Sequence, residues 1–286
     1  MIISERPRGD MPLFGWKDSE GRREPMEISK PFPLQEGEGC EPLSPTISVI
    51  VSPQHTFNTD TILLAWFSAP RHRDRCGDFG TGCGTIPLLW QSRFQPAHIT
   101  AVELQDNAFS MACRSVAYNG LEEVITVLQR DIKAIPSSGE PWLETLDVVA
   151  CNPPYQEQGT GLVNPDGSKR IARHEGACTL EDVSAAASAA LKYGGKFYLC
   201  QRPQRLCDAM ACMRKAGIEP KRLRFVQQRP TKAPSLFLLE GKKGGRPGLI
   251  VEPVLFVENE QGDFSQEMLE IYGTYKSHDR RDKAKR

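Results

Sequence analysis

The chain has no run of 18 apolar residues, so nothing in it has the length and hydropathy of a membrane-spanning helix. Its charged first residues lack the apolar core of a secretory signal. No Cys-x-x-Cys pair occurs among its nine cysteines, and that number is odd. Several, including Cys76, Cys113, Cys151 and Cys200, sit in apolar stretches. This predicts small buried hydrophobes in a reducing cytoplasm rather than disulfides or a zinc site. The five histidines are scattered without ligand spacing, so no metal is expected. No internal repeat is visible. Net charge is absent too, with 36 Lys/Arg against 36 Asp/Glu.

That zero is an average over uneven stretches. Between Lys192 and Arg246 there are 14 Lys/Arg against only Asp208, Glu219 and Glu240, while the first 45 residues and the stretch from Glu252 to Glu270 lean acidic. Solvated helix exteriors are the plain explanation of the basic stretch, and a positive face for a polyanion the sharper one.

Residues 1–45 are rich in Pro, Gly and charge without sustained periodicity, and are expected to form an irregular extension. "ISVIVS" (47–52) predicts a strand, and "FNTDTILLAWFS" a capped helix closed by Pro70. From "RHRDRCGD" onward, strands and helices alternate. The strands are "HITAVEL", "VITVLQRD", "LDVVAC" and "KFYLCQ". The helices include "NAFSMACRSVAYNG", with Gly120 as its C-cap, and an Ala-rich one ended by Gly194–Gly195. Two last strands, "KRLRFVQQ" and "APSLFLLEGKKGG", have no helix between them and predict an antiparallel edge hairpin. The pattern is that of an α/β fold, a mostly parallel sheet flanked by helices. The expected domain spans residues 46–273, and a basic tail, 274–286, follows it.

In "DFGTGCG", Asp78 ends a strand and Gly80, Gly82 and Gly84 follow at every second position. Such glycines allow a tight turn and a close approach of ligand to backbone. The spacing departs from the G-x-G-x-x-G of dinucleotide sites and favours a nucleoside ligand without a pyrophosphate. Glu103 ends the next strand, where an acid can accept from both ribose hydroxyls. Asp131 ends the third, within reach of an exocyclic amine on an adenine.

Downstream, "LDVVACNPPYQEQ" runs a core strand into Asn152-Pro153-Pro154-Tyr155. Two prolines stop the strand and fix its backbone. A weakly nucleophilic planar amine needs acceptors that hold its hydrogens and stabilise the charge developing on attack. The Asn152 side-chain oxygen and the Pro153 carbonyl, held by Pro154, supply two. Tyr155 offers a ring on which a splayed base can stack.

These residues together resemble the class I S-adenosylmethionine-dependent methyltransferases, whose first motif is D-x-G-x-G-x-G. With NPPY and the flanks "FNTDTILLAWF", "KRIARHE" and "KRLRFVQQRPTKAPSLFLLEGKKGG", the chain resembles the bacterial tRNA1(Val) adenosine-37 N6-methyltransferase family over roughly residues 46–273. The resemblance implies a Rossmann-like fold with a seven-stranded sheet, S-adenosylmethionine as cofactor and tRNA as partner, in the cytoplasm. It places cofactor contacts at Asp78, Gly80, Thr81, Gly82, Gly84, Glu103, Leu104, Asp131, Ile132 and Asn152. Catalysis falls to Asn152, Pro153, Pro154 and Tyr155, and substrate contacts to Lys169, Arg170, Arg173 and His174. Phe57 and Asn58 stand where related enzymes close over the cofactor. The alternatives are a glutamine methyltransferase of the release-factor kind, another amine or DNA adenine methyltransferase, and a non-catalytic RNA-binding module. Oligomeric state is left open.

Overall fold

The computed structural model describes residues 33–153 and 178–273, and the backbone of residues 16–17 and 23–24. Two compact units are present, Met1–Pro33 and Leu34–Arg286. In the first, β1 (Trp16–Lys17) and β2 (Arg23–Glu24) pair antiparallel.

The second unit begins 12 residues before the boundary expected at 46. Gly39–Pro42 (β3) and Ser48–Val51 (β4) form an antiparallel hairpin. Its outer edge is satisfied by side chains in and capping a helix that follows later: Ile50 N donates to Ser115 Oγ, and Ser48 exchanges both its backbone bonds with Asn119. Glu38 grips Arg114 of the same helix at 2.6 and 2.7 Å. That guanidinium holds the Glu38 carboxyl below the usual carboxylate range, against the opposing effect of burial. Composition alone therefore misassigns residues 34–45, because tertiary pairing fixes a stretch without periodicity.

Asn58 caps α1 (Thr59–Ser68) by accepting from Thr61 N, and six residues from Ile62 to Ser68 are buried. The polar residues before β5 (Arg75–Phe79) form a turn closed by Asp74 onto Arg71 N, and the strand from Cys76 to Phe79 is buried. A Cβ at Gly77 would lie 2.8 Å from Leu146 Cδ1 and 3.1 Å from Phe79 Cε1, so these buried side chains would have to shift to admit one. Then come α2 (Thr85–Arg93), β6 (His98–Glu103) and α3 (Asp106–Tyr118). The last closes as expected on Gly120, at φ +65°, with Gly120 N bonded to Ala117 O and Leu121 N to Val116 O. β7 (Ile125–Gln129), a 3₁₀ turn (Ile132–Ser137) and β8 (Leu146–Cys151) follow.

α4 (Leu180–Ala190), with a Thr179–Asp182 capping box, ends sooner than the glycine pair suggests. Leu191 is fully buried and already extended, opening β9 (Leu191–Gln201). Gly194 and Gly195 serve a bulge, where the register on β8 jumps from Leu146↔Leu191 to Val148↔Lys196. A Cβ on Gly195 would meet Leu146 O at 2.9 Å. α5 (Leu206–Lys215) leads to the antiparallel pair β10 (Ile218–Gln227) and β11 (Leu236–Lys243). That hairpin is not the edge. β12 (Ile250–Val251) and β13 (Leu255–Phe256) pair parallel with β10, and α6 (Gln266–Tyr272) ends the described chain. Two-residue strands carry no period for a sequence to display.

The sheet order is β12-β10-β11-β9-β8-β5-β6-β7, seven long strands plus the two short ones, and β5 to β9 run parallel. Helices α4 and α5 cover one face over a core of Phe79, Val149, Phe197, Leu199 and Leu239. On the other face α1 packs against α2 and lies over β8, β9 and β11. This is a Rossmann-like α/β fold.

Candidate active site

Parallel strands β5, β6, β7 and β8 all end at one edge of the sheet, where α/β folds bind ligands. The glycine turn leaves β5 there. Gly80, Gly82 and Gly84 all have positive φ, at +78°, +58° and +88°. Gly80 N and Thr81 N donate to Val102 O, at 2.8 and 3.0 Å, so the turn is pinned to β6. A Cβ on Gly82 would meet nothing within 4 Å, and one on Gly80 only Ile132 Cδ1 at 3.8 Å. The turn thus presents bare backbone to an open space with Ile132 beside it.

Asp78, 1% exposed, and the Thr81 hydroxyl lie near one another, but among the described residues neither has a partner at full hydrogen-bond geometry. Burial pushes the Asp78 carboxyl up to about 7; the Thr81 hydroxyl partly offsets this and the Glu103 charge adds to it. Buried polar groups left unmatched are costly and are normally matched by something. The Glu103 carboxylate is 6% exposed and accepts from Gly82 N (2.8 Å), Leu104 N (2.9 Å) and Gln105 N (2.8 Å). It ties the turn to the end of β6. Leu104 is half exposed, a flat apolar surface beside that acid. Asp131 caps the 3₁₀ turn through Lys133 N, and its other oxygen faces Lys133 Nζ at 4.0 Å. Open glycines, an unmatched acid and hydroxyl, and exposed Leu104 suit a nucleoside ligand carrying a cationic group. S-adenosylmethionine fits that description.

Asn152 and Pro153 stand at the end of β8, one strand over from the turn. Asn152 Nδ2 donates to Thr61 Oγ1 at 3.1 Å, and Cys200 Sγ donates to Asn152 Oδ1 at 2.9 Å. Thr61 Oγ1 in turn donates to Asn58 Oδ1 at 3.3 Å. Asn58 is thus a helix cap linked through Thr61 to the Asn152 amide. The spacing Asn58-x-x-Thr61 could have announced the cap; nothing around Cys200 could have announced its role. Pro154, Tyr155, Lys169, Arg170, Arg173 and His174 lie outside the described residues. Among the described residues no group of His, Cys, Asp or Glu could hold a metal, and no helix is long and apolar enough to cross a membrane.

Residues 54–215 match the family model of the methyltransferase small domain. The chain belongs to that family. It is a class I methyltransferase, an enzyme whose methyl donor is S-adenosylmethionine. Among curated proteins, this methyltransferase is 31% identical over 191 residues to a tRNA1(Val) (adenine(37)-N6)-methyltransferase of Porphyromonas gingivalis, covering 64% of this chain and 72% of that relative. A protein of the same description from Tolumonas auensis is 30% identical over 182 residues, 63% and 73% of the two chains. A ribosomal protein uL3 glutamine methyltransferase of Bordetella pertussis is 32% identical over 122 residues, covering 42% of this chain and 38% of the relative. The crystal structure of a predicted O-methyltransferase from Agrobacterium tumefaciens superposes with a TM-score of 0.60 at 23% identity, over 76% of this methyltransferase and 97% of that chain, a likeness of fold.

The charge stretch takes a different form in the fold. Of the 14 cations between Lys192 and Arg246, eight form ion pairs: Lys192 with Asp147, Lys196 with Glu240, Arg205 with Asp208, Arg214 with Glu219, Lys215 with Glu181, Arg222 with Glu240 and Glu252, Arg224 with Glu252 and Glu267, and Arg229 with Glu258. Much of the excess is neutralised by acids that sequence places elsewhere.

Proposed function

We propose that this methyltransferase modifies the N6 amine of an adenosine in tRNA, adenosine 37 of the anticodon loop of a tRNA1(Val)-like substrate. The observation that carries this reading is the Asn152–Pro153 pair at the tip of β8, one strand from the glycine turn. Bound S-adenosylmethionine supplies an electrophilic methyl group. The chain's own part is to hold the amine. Asn152 Oδ1 and the Pro153 carbonyl accept its two hydrogens, draw the nitrogen out of conjugation with the ring and stabilise the positive charge growing on it. Acceptors fixed beforehand need no reorganisation during reaction, which is where such groups gain their effect. Asp78 and Thr81 supply acceptors toward the cationic part of the cofactor, and Leu104 and Ile132 an apolar bed for its base. The tRNA relatives at about 30% identity support the substrate class.

A second reading, a protein glutamine side chain as acceptor, draws on the Bordetella relative, which matches over less of the chain. A glutamine amide presents the same planar NH₂ to the same acceptors. Methylation of bulk unmodified tRNA with labelled cofactor, followed by nucleoside analysis, separates the two. Labelled N6-methyladenosine is expected. Label in a release factor or ribosomal protein, with none in tRNA, would refute the tRNA assignment.

A further inference from the structure

The geometry points to Thr61 and Cys200 as positioning residues that fix which way the Asn152 carboxamide faces; the inference rests on the reading of Asn152 as the amine acceptor. An asparagine amide has two chemically opposite ends. Only the oxygen can accept the amine hydrogens, and a flipped amide would present its own N–H groups to them. Something must therefore set its polarity.

Its setting can be followed from a group whose direction is not in question. The backbone N–H of Thr61 can only donate, and it donates to Asn58 Oδ1 at 3.1 Å. That atom is therefore the oxygen of Asn58. The Thr61 hydroxyl lies 3.3 Å from the same oxygen, which can only accept, so the single hydroxyl hydrogen is committed there. The hydroxyl then faces its other neighbour with lone pairs alone. That neighbour is Asn152, which must offer its NH₂, at 3.1 Å. The Asn152 oxygen is thereby turned to the opposite side, where the Cys200 thiol donates to it at 2.9 Å. The thiol thus holds that oxygen as the accepting end of the amide.

The elements that bring these groups together serve no other part of the proposed chemistry. Thr61 sits in the first turn of α1, and Cys200 near the end of β9, on the strand face that looks toward α1. Tyr198, two residues earlier on the same face, meets the Phe67 ring of α1 edge-on at 5.9 Å. Cys200 is fully buried, which suits a fixed donor rather than a reactive thiol. The first turn of α1 is itself held from outside: Thr59 Oγ1 and Tyr272 OH of α6 lie 2.9 Å apart.

The test is a set of full-length variants assayed with unmodified tRNA and labelled S-adenosylmethionine under single turnover, with cofactor Kd and Tm measured alongside. Thr61→Val and Cys200→Ala remove one partner each with little change of volume. Outer partners that orient a functional group typically count for about 10- to 100-fold, and a loss of that size is expected in the methyl-transfer rate, with cofactor Kd unchanged. Thr61→Ser and Cys200→Ser keep the hydroxyl or a donor, and should return the rate to within a few-fold of wild type. Asn152→Ala in the same assay reports on the underlying reading. If it is inactive while Thr61→Val and Cys200→Ala turn over at the wild-type rate, the positioning role is wrong and the acceptor role stands. If Thr61→Val and Cys200→Ala lose rate, cofactor affinity and Tm together, and the serine variants do not rescue, these residues are merely structural and the inference fails. Wild-type turnover by Asn152→Ala would overturn the acceptor reading and this inference with it.

Discussion

Glu103 holds two sites at once, and Glu103→Ala should expose both. From its place at the end of β6 it is suited to accept from the ribose of the cofactor. Its carboxylate also accepts three backbone N–H groups, from Gly82, Leu104 and Gln105, all at 2.8–2.9 Å. A carboxylate has about four lone-pair positions, so one remains for a ribose hydroxyl without breaking the frame. Truncation to alanine removes the ribose contact, and hydrogen bonds to charged groups are worth roughly 1.5–3 kcal/mol. At about 1.4 kcal/mol per decade, cofactor Kd should rise by about 10- to 150-fold. The three freed N–H groups add a second cost. Each buried donor left alone costs about 1–3 kcal/mol, reduced here because the cleft admits water to the turn. A loss of global stability of about 2–4 kcal/mol is the expected net effect. Titration calorimetry measures the first quantity and urea unfolding of the cofactor-free protein the second. Glu103→Gln keeps one acceptor oxygen and should fall between alanine and wild type in both. An alanine variant with unchanged Kd would refute the ribose role. One with weakened Kd but unchanged unfolding midpoint would refute the idea that the acid braces the glycine turn.

Gly82→Ala should separate space from strain: its Cβ meets nothing within 4 Å but its φ is +58°, so stability should fall by only about 1–2 kcal/mol, while a methyl group in the cofactor's path weakens binding far more, as calorimetry would show. Asp78 has its folded-state carboxyl pKa raised from 3.8 to about 7, so the folded state holds the proton more tightly and this group's contribution to stability declines as pH rises between those values. At about 1.36 kcal/mol per unit, the decline reaches at most about 4 kcal/mol, and Asp78→Asn should flatten it in cofactor-free unfolding measured from pH 4 to 8; an unchanged slope in the mutant would assign the dependence elsewhere. Neutralising Lys169, Arg170 and Arg173 together should lower the salt slope of tRNA binding by about 2, at 0.7 per single-strand phosphate contact, while neutralising ion-paired Arg214 and Lys215 should leave it nearly unchanged; equal effects in the two variants would contradict this division of the cations.

Much of this site can be read from the chain because its parts sit at the ends of strands whose apolar runs are unmistakable. Glu103 and Asn152 follow such runs directly, Asp131 comes after Gln129 and Arg130, and Asp78 sits in a shorter, more polar strand betrayed by its glycine turn; the parallel order of β5 to β8 does the rest. What stayed hidden has physical reasons. Thr61 and Cys200 meet Asn152 across 91 and 48 residues, and in their own segments they read as an ordinary helix start and an apolar strand position. The glycine pair at 194–195 resembles a helix stop, yet it lets β9 pass a carbonyl of β8. Residues 34–45 look irregular because their order comes from pairing with β4 and from the Glu38–Arg114 contact to a later helix rather than from any period of their own.

The basic stretch from Lys192 to Arg246 shows most clearly where a linear count fails. A window tallies the acids inside it, but Lys192, Lys215, Arg222, Arg224 and Arg229 find partners in Asp147, Glu181, Glu252, Glu267 and Glu258, all outside it. Arg224 is the extreme case. It makes a two-pronged contact with Glu267 at 2.6 and 2.8 Å, donates to Pro253 O and lies 4.0 Å from Glu252. A cation so engaged would have to break those bonds before it could meet a phosphate, and its pairing serves to fasten α6 to the sheet. Since α6 also reaches α1 through Tyr272 and Thr59, Arg224, which looks like part of an RNA surface in the sequence, acts in the fold to brace the helix that carries Thr61. If tRNA is the substrate, the salt dependence of its binding is therefore expected to follow Lys169, Arg170 and Arg173 rather than the ion-paired members of the longer basic stretch.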